Sequence, residues 1–365
     1  MYDLATHFSV GEFDVAVAGG GNGMLFDKLE EKSIHTVRIP TLERDVNIIK
    51  ELKSFFYILK IIKKERPDII HLNSTKMGVI GGIAGFLLKI SAPRRRMLII
   101  FTVHGWGFCE ERVIFMKFFL YALAVFSSLF HDRTIVLSAH DKRAGKKFIA
   151  PRKLSLIPLG IRQINFLPQR AALKELEQIT KQTFPDTLWI AGTIAELTKN
   201  KGLEYLIDAA QRIDQHTPNS KLRVIIMGDG EERERLSKKV NAMGLENKVF
   251  FAGFVPDGAR FIRAFDVFVL PSLKEGLPYV ILEAKAAGVP VIASAVGGIP
   301  DLVSPEEDDF LVPPKDSEML AQSLLAFFSE KKAKELRPAQ ERYTKATPSL
   351  FRAMIQATLE LYRKN

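Results

Sequence analysis

Two carboxylates, Glu275 and Glu283, sit in a stretch whose local chemistry suits a ligand carrying both hydroxyls and phosphate. The stretch reads Pro271-Ser272-Leu273-Lys274-Glu275-Gly276-Leu277-Pro278 and continues through Glu283 to Gly288-Val289-Pro290. It begins where the apolar run Val267-Phe268-Val269-Leu270 stops at a proline, and that run has the length of a buried parallel strand. Pro278 suits the first turn of a helix, where proline has no N–H to lose. Strand, short loop and helix follow in order, and Val291-Ile292-Ala293-Ser294 supplies the next strand. A loop so placed lies at the carboxyl end of a strand and at a helix N-terminus. Open α/β sheets hold ligands there, and free N–H groups there favour an anion. The amides of Gly276 and Leu277 are the candidate phosphate donors. Glu275 in the loop and Glu283 in the helix are acceptor-only groups for hydroxyls.

Other residues cluster at the ends of apolar runs in the same way. Lys201-Gly202 closes the segment that starts at Gly192 and contains Glu196 and Lys199. Gly228-Asp229-Gly230 follows Ile225-Ile226-Met227. Two glycines there permit close approach of main chain to a ligand or serve a plain turn, and without a third glycine they do not make a dinucleotide fingerprint. Val249 to Pro256, including Phe254, reads as core strand and turn, and Ala295 to Asp301 is a further glycine-bearing turn. His104 ends the run Met97 to Val103, and His71 ends the run before it, with structural and functional readings both open for His71. No His-x3-His, Asp-x-Asp or cysteine pair is present, so no metal site is expected. The single Cys109 excludes an intramolecular disulfide and reads as a half-buried small side chain.

Short apolar runs alternate with helical patterns along the whole chain. Phe13 to Ala18, Ile69 to Leu72, Met97 to Val103 and Arg133 to Leu137 read as strands of a first series, with helices over Asn47 to Lys64, Gly78 to Ile90 and Val113 to Phe130. Leu188 to Ile194, Leu222 to Met227, Val249 to Phe251, Val267 to Leu270 and Val289 to Ala293 form a second series. This rhythm predicts crossover units on parallel sheets. The expected fold is α/β, with two facing Rossmann-like domains at 1–163 and 169–345 and a linker near Ile161 to Pro168. A helix within 346–365 is expected to pack back on the first domain.

A chain of 365 residues is long for one core and comfortable for two. The net charge of +10 is uneven: residues 1–160 hold 24 Lys and Arg against 15 Asp and Glu, and the remainder 28 against 27. The first half is therefore the basic half. Cations beside apolar, aromatic-rich segments point to an anionic membrane surface or an anionic acceptor. Nucleic acid is not expected, since no helix-turn-helix, zinc-finger or RNA-platform pattern is present. The apolar stretch at 78–90 is too short to span a bilayer, and the one at 113–130 carries Lys117 and ends in Ser127-Ser128. Both are expected as helices packed on a sheet in preference to a monotopic membrane face. The amino end shows no signal peptide pattern.

The Glu275 to Glu283 segment resembles the Glu-x7-Glu signature of the retaining glycosyltransferases of family 4, which have the GT-B fold. That resemblance implies that Glu275 contacts the donor sugar and Glu283 the nucleotide ribose. It also implies that Lys201 serves the donor diphosphate, and that Gly228, Gly230 and Phe254 line the donor site. His104, in a His-Gly pair, would approach the reacting sugar. The implied activity is transfer of a sugar from a nucleotide-diphosphate sugar, with no cofactor, to an acceptor hydroxyl with retained configuration. Beside it, the basic, aromatic first half points to a lipid-linked or anionic glycan acceptor at the inner face of a membrane, hence to cell-surface polysaccharide or lipopolysaccharide assembly and a cytoplasmic location, peripheral on that face. Two departures stand out. Glu196 occupies the place of the family's arginine, and Phe13 to Ala18 matches the family's second strand, which leaves the first strand and its Gly-Gly-Ala loop without a counterpart. Gly19 to Gly23 reads instead as a flexible turn, and a truncated longer enzyme is the expectation. A GT-B sugar-nucleotide epimerase and a non-catalytic nucleotide-sugar-binding protein are the alternatives.

Overall fold

The computed structural model describes the chain except residues 9–12, 22, 44, 93, 95, 111, 218, 304–308, 330–339 and 364–365, and gives backbone alone for 340–348. The chain divides into two compact units, Met1–Pro158 with Met354–Asn365 and Leu159–Ala353.

In the first unit, strands β1 (Ala16–Gly19) and β2 (His35–Arg38) pair in parallel as a sheet of their own. Strands β3 (Ile69–Leu72), β4 (Leu98–Val103), β5 (Arg133–Val136) and β6 (Leu154–Leu156) form a second parallel sheet in that order. Among the described residues, β1 and β3 each pair on one side only. Every residue of β4 is buried, which is why its sequence is a continuous apolar run instead of an alternating one. Helix Thr75–Ser91 reaches this sheet closely because its inner side carries glycine. A methyl at Gly78 would lie 2.8 Å from the Phe101 ring, and one at Gly82 would lie 2.8 Å from His131. Polar side chains cap the starts of three helices of this unit among the described residues: Asn47 accepts from Ile49 and Lys50 at the start of Ile48–Glu65, Ser74 from Met77, and Ser138 from Asp141 at the start of Ala139–Gly145.

Helix Thr75–Ser91 packs on the sheet as expected, and Ile114–Ser128 sets Ala124 against the same core while leaving Ser127 as its one buried residue and its other side exposed. Its sequence is apolar nearly all round, and periodicity alone does not tell which apolar side meets protein. The Gly19 to Gly23 stretch, expected as a flexible turn, gives its first residue to β1 and its last to the cap of helix Met24–Glu30, with Asn22 outside the described residues.

The second unit is one six-stranded parallel sheet. Strands β7 (Trp189–Ile194), β8 (Leu222–Met227), β9 (Val249–Gly253), β10 (Val267–Leu270), β11 (Val291–Ser294) and β12 (Phe310–Val312) lie in the order β12-β11-β10-β7-β8-β9. From β7 the chain builds outward on one side through β8 and β9. It then returns to the other side of β7 and builds outward through β10, β11 and β12. The order reverses between β7 and β10, and a doubly wound sheet opens its ligand crevice at the carboxyl ends of the strands at that place. Both faces of this sheet are covered by buried apolar side chains, including Leu206, Ile207 and Leu324 on one and Phe265, Ile281 and Ile299 on the other.

Candidate active site

The loops that leave β7 and β10 meet at this reversal. The β10 strand ends in Pro271 and the fully buried Ser272, and the loop runs to Pro278, which caps helix Tyr279–Ala287. Opposite it, the loop after β7 ends in a short turn, Lys199–Lys201, and Gly202. The Leu273 amide donates to the Asn200 carbonyl at 2.8 Å, so the two loops are joined main chain to main chain. Across that join Lys201 Nζ donates to Glu275 Oε1 at 2.6 Å, and Ser272 Oγ donates to the same oxygen at 2.8 Å. Glu275 Oε2 accepts nothing among the described residues. The Glu275 side chain is 9% exposed and that of Lys201 24%, so the pair is shielded yet reachable.

A third loop completes the arrangement. Gly298 N donates to Gly276 O at 2.8 Å, and Gly297 adopts φ +55°, where a side chain would place its first carbon 1.9 Å from the Glu275 carbonyl oxygen. The Ala295 to Asp301 turn is therefore pressed onto the Glu275 loop. The amides of Gly276 and Leu277 have no acceptor among the described residues. They stand next to the start of helix Tyr279–Ala287, where the helix dipole adds partial positive charge.

Glu283, in that helix, is partly buried and makes no hydrogen bond or ion pair among the described residues. Burial raises its pKa above the ordinary carboxylate value. A partly buried carboxylate without a protein donor gains from a ligand that brings hydroxyl protons.

Gly228 and Gly230 sit at the end of β8. A side chain at Gly228 would lie 1.9 Å from the Ala195 carbonyl oxygen, and one at Gly230 would lie 2.6 Å from that of Leu197. Leu197 N donates to Asp229 O, and Gly228 N to Gly253 O. Glycine is thus required at both places by contact between neighbouring loops, and the turn is held on the same sheet edge as the Lys201 loop. Phe254, just beyond β9, is 63% exposed. Glu196 and Lys199 are both exposed on the loop after β7.

The first unit carries His104 in the loop after β4. That loop is fixed by Trp106, whose Nε1 donates to Asp141 O at 2.9 Å and whose amide donates to Asp141 Oδ1 at 3.3 Å. Solvent reaches His104, while the protein around the ring still lowers its pKa, chiefly by desolvation. The apolar hollow behind the loop, lined by Val103, Trp106, Phe108, Leu120 and Leu123, has about 30 Å³. That is room for a water and nothing larger, so it is a packing gap. His71, which the sequence left open, is structural. Its Nδ1 is hydrogen-bonded to Tyr362 Oη and its Nε2 to Thr102 Oγ1, each at 2.6 Å. Burial lowers its pKa to about 3.

Sequence reasoning assigned no role to Ser272 and did not foresee that Lys201 and Glu275 would be partners. A hydroxyl three residues before a carboxylate in a tight loop was the available signal for Ser272. The pairing with Lys201 spans 74 positions and depends on strand order, which no local pattern reveals.

An α/β sheet with a reversal-point crevice of this kind places its ligand at the carboxyl ends of β7 and β10. The model described as "Glycosyl transferases group 1" matches residues 174–347, and that described as "Glycosyltransferase Family 4" matches residues 1–162. The chain is 31% identical over 326 residues to the UDP-Gal:alpha-D-GlcNAc-diphosphoundecaprenol alpha-1,3-galactosyltransferase of Escherichia coli, covering 88% of this chain and 81% of that protein. It is 30% identical over 278 residues to the putative colanic acid biosynthesis glycosyltransferase WcaL of Escherichia coli K12, covering 73% and 63%. Among solved structures, Anabaena Alr3699/HepE in complex with UDP and glucose matches with a TM-score of 0.78 at 21% identity, over 99% of this chain and 94% of that one. The chain belongs to the glycosyltransferases of GT-B fold.

Proposed function

We propose that this glycosyltransferase takes its sugar from a nucleotide-diphosphate sugar, with UDP as the first nucleotide to test, and passes it with retained configuration to a hydroxyl of a lipid-linked or other glycan acceptor. Cell-surface polysaccharide or lipopolysaccharide assembly is the setting. The observation that carries this reading is the set of groups at the β7/β10 reversal. It comprises the amides of Gly276 and Leu277 and the Glu283 carboxylate, which have no partner among the described residues, together with the Lys201–Glu275 pair. Diphosphate oxygens compete with Glu275 for Lys201 Nζ, and Glu275 is then released to sugar hydroxyls. Glu283 takes the ribose hydroxyls, which supply the donors it lacks. The Gly228–Gly230 turn and Phe254, on the same sheet edge, are assigned to the nucleotide side. Charge developing on the leaving diphosphate is offset by the Gly276 and Leu277 amides, the helix start behind them and Lys201. Lys199 stands close in sequence as a second cation. His104 is assigned to the transfer step in preference to donor binding. The enzyme acts at the cytoplasmic face of the membrane, where a lipid-linked acceptor presents its glycan.

The names of the relatives support both the polysaccharide setting and a diphosphate-lipid acceptor. The test is incubation with a panel of UDP-sugars, following nucleotide release with and without extracted lipid-linked glycans. Release that depends on acceptor, with one new sugar on the lipid, is expected. Interconversion of donors with no acceptor present would replace transfer by epimerisation, and the absence of any donor turnover would leave only a binding protein.

A further inference from the structure

The basic half of the chain also carries an apolar face that its own fold leaves uncovered. Helices Ile48–Glu65, Thr75–Ser91 and Ile114–Ser128 pack side by side in that order. The third exposes Ile114, Phe115, Phe118 and Phe119 at 83%, 76%, 71% and 53%, and Phe126 and Leu129 continue the stripe. The first exposes Ile48, Ile49, Leu52 and Phe56 along one side, and the middle helix adds Leu87 and Ile90 near its end. Cations border this apolar surface. Lys53, Lys60 and Lys63 share the exposed side of the first helix, and Arg94 and Arg96 follow the middle helix. Lys53, Lys60 and Lys63 form no ion pair among the described residues, whereas Lys50 and Lys76, which do, are held by Glu43 and Glu51. Among the described residues no helix is long and apolar enough to cross a membrane.

We infer that the outer face of these three helices docks on an anionic lipid bilayer, with the 114–129 stripe seated at the headgroup–acyl boundary and the lysines on lipid phosphates. Three observations select this occupant. Exposed aromatic rings on this scale exceed what a monomer leaves to water without a partner. Apolar residues beside unpaired cations match the two components of an interfacial helix. A second copy of the chain would bring the same lysines against each other across a two-fold axis, with repulsion and no counter-charge. The inference builds on the lipid-linked acceptor above and names the surface that would bring the enzyme to it.

The test is cosedimentation of the full chain with vesicles of phosphatidylcholine alone or with about one third phosphatidylglycerol, measuring UDP binding on the same preparations. Wild type should bind the anionic vesicles at least ~10-fold better than the neutral ones, and less as salt shortens the Debye length. Replacing Phe115, Phe118 and Phe119 together by Ser should lower binding to both vesicles about tenfold or more. The combined Lys53→Glu, Lys60→Glu and Lys63→Glu protein should lose the preference for anionic lipid, since each lysine near such a surface contributes about fivefold. These positions are exposed, so far-ultraviolet circular dichroism and UDP binding should stay as in wild type. Wild type remaining in the supernatant with both vesicles overturns the inference, as does a triple-Phe variant that sediments like wild type. Self-association abolished by the Phe substitutions, without vesicle binding, also overturns it and assigns the face to a second copy. Failure of UDP binding in wild type with vesicle binding intact would count against the donor site alone.

Discussion

Glu283 stands in the candidate site with no protein donor among the described residues. Its side chain is partly buried, and that burial raises its pKa. The sign follows from the shift: the folded protein holds the proton more tightly than the unfolded chain does. The group therefore favours folding at low pH, and that contribution is lost as pH rises through the folded pKa. Glu283→Gln should raise the melting temperature at pH 7, by about 2–4 °C for a gain of about 1 kcal/mol. The same change should weaken UDP-sugar binding tenfold or more, and calorimetry beside a thermal melt reads both. At His104 a different split is expected: His104→Ala should depress turnover well beyond any change in donor affinity, which single-turnover assays separate from binding. Glu275 and Lys201 show how far the residue scale was legible. Their types and places at strand ends were evident in the sequence, but their ion pair was not, because it joins two loops through a strand order that returns across β7.

At the scale of elements, the site is a stack of three loops held by main-chain contact. The 199–202, 271–278 and 295–298 segments meet through the Leu273–Asn200 and Gly298–Gly276 hydrogen bonds. Gly297→Ala should break this stack, since it combines a left-handed backbone with a methyl 1.9 Å from the Glu275 carbonyl. A cost of at least ~2 kcal/mol is expected from the backbone conformation and the clash together. Chemical denaturation measures that loss, and donor affinity should fall with it. The strands that matter here were readable from continuous apolar runs, because a parallel sheet buried on both faces leaves little polar alternation. Short edge elements such as β2, β6 and β12 were not, having three or four residues each and little periodicity to read. The Ile114–Ser128 helix was foreseen as a helix, but its exposed side was not. Hydrophobicity identifies what prefers to leave water, not which neighbour covers it.

At the scale of the molecule, the charge imbalance seen in composition belongs to the first unit, together with the uncovered helical face. The same unit is expected to be the acid-sensitive part. Burial lowers the pKa of His71 to about 3 and of His131 to about 4, from 6.5. The unfolded chain thus takes up protons first, and stability is lost as pH falls from 6.5 towards those values. Each ring contributes a slope of about 1.4 kcal/mol per pH unit. Melting curves between pH 7 and 5 should show this fall, and His71→Gln should make it shallower. The measurement that bears most directly on the central claim is equilibrium binding of a UDP-sugar to the wild-type chain and to Glu283→Ala. The account predicts saturable binding by wild type and an affinity at least ~10-fold weaker in the variant, the loss expected for removing a charged hydrogen-bond acceptor. Equal affinity in the two proteins would contradict it, because the donor would then lie away from the β7/β10 crevice.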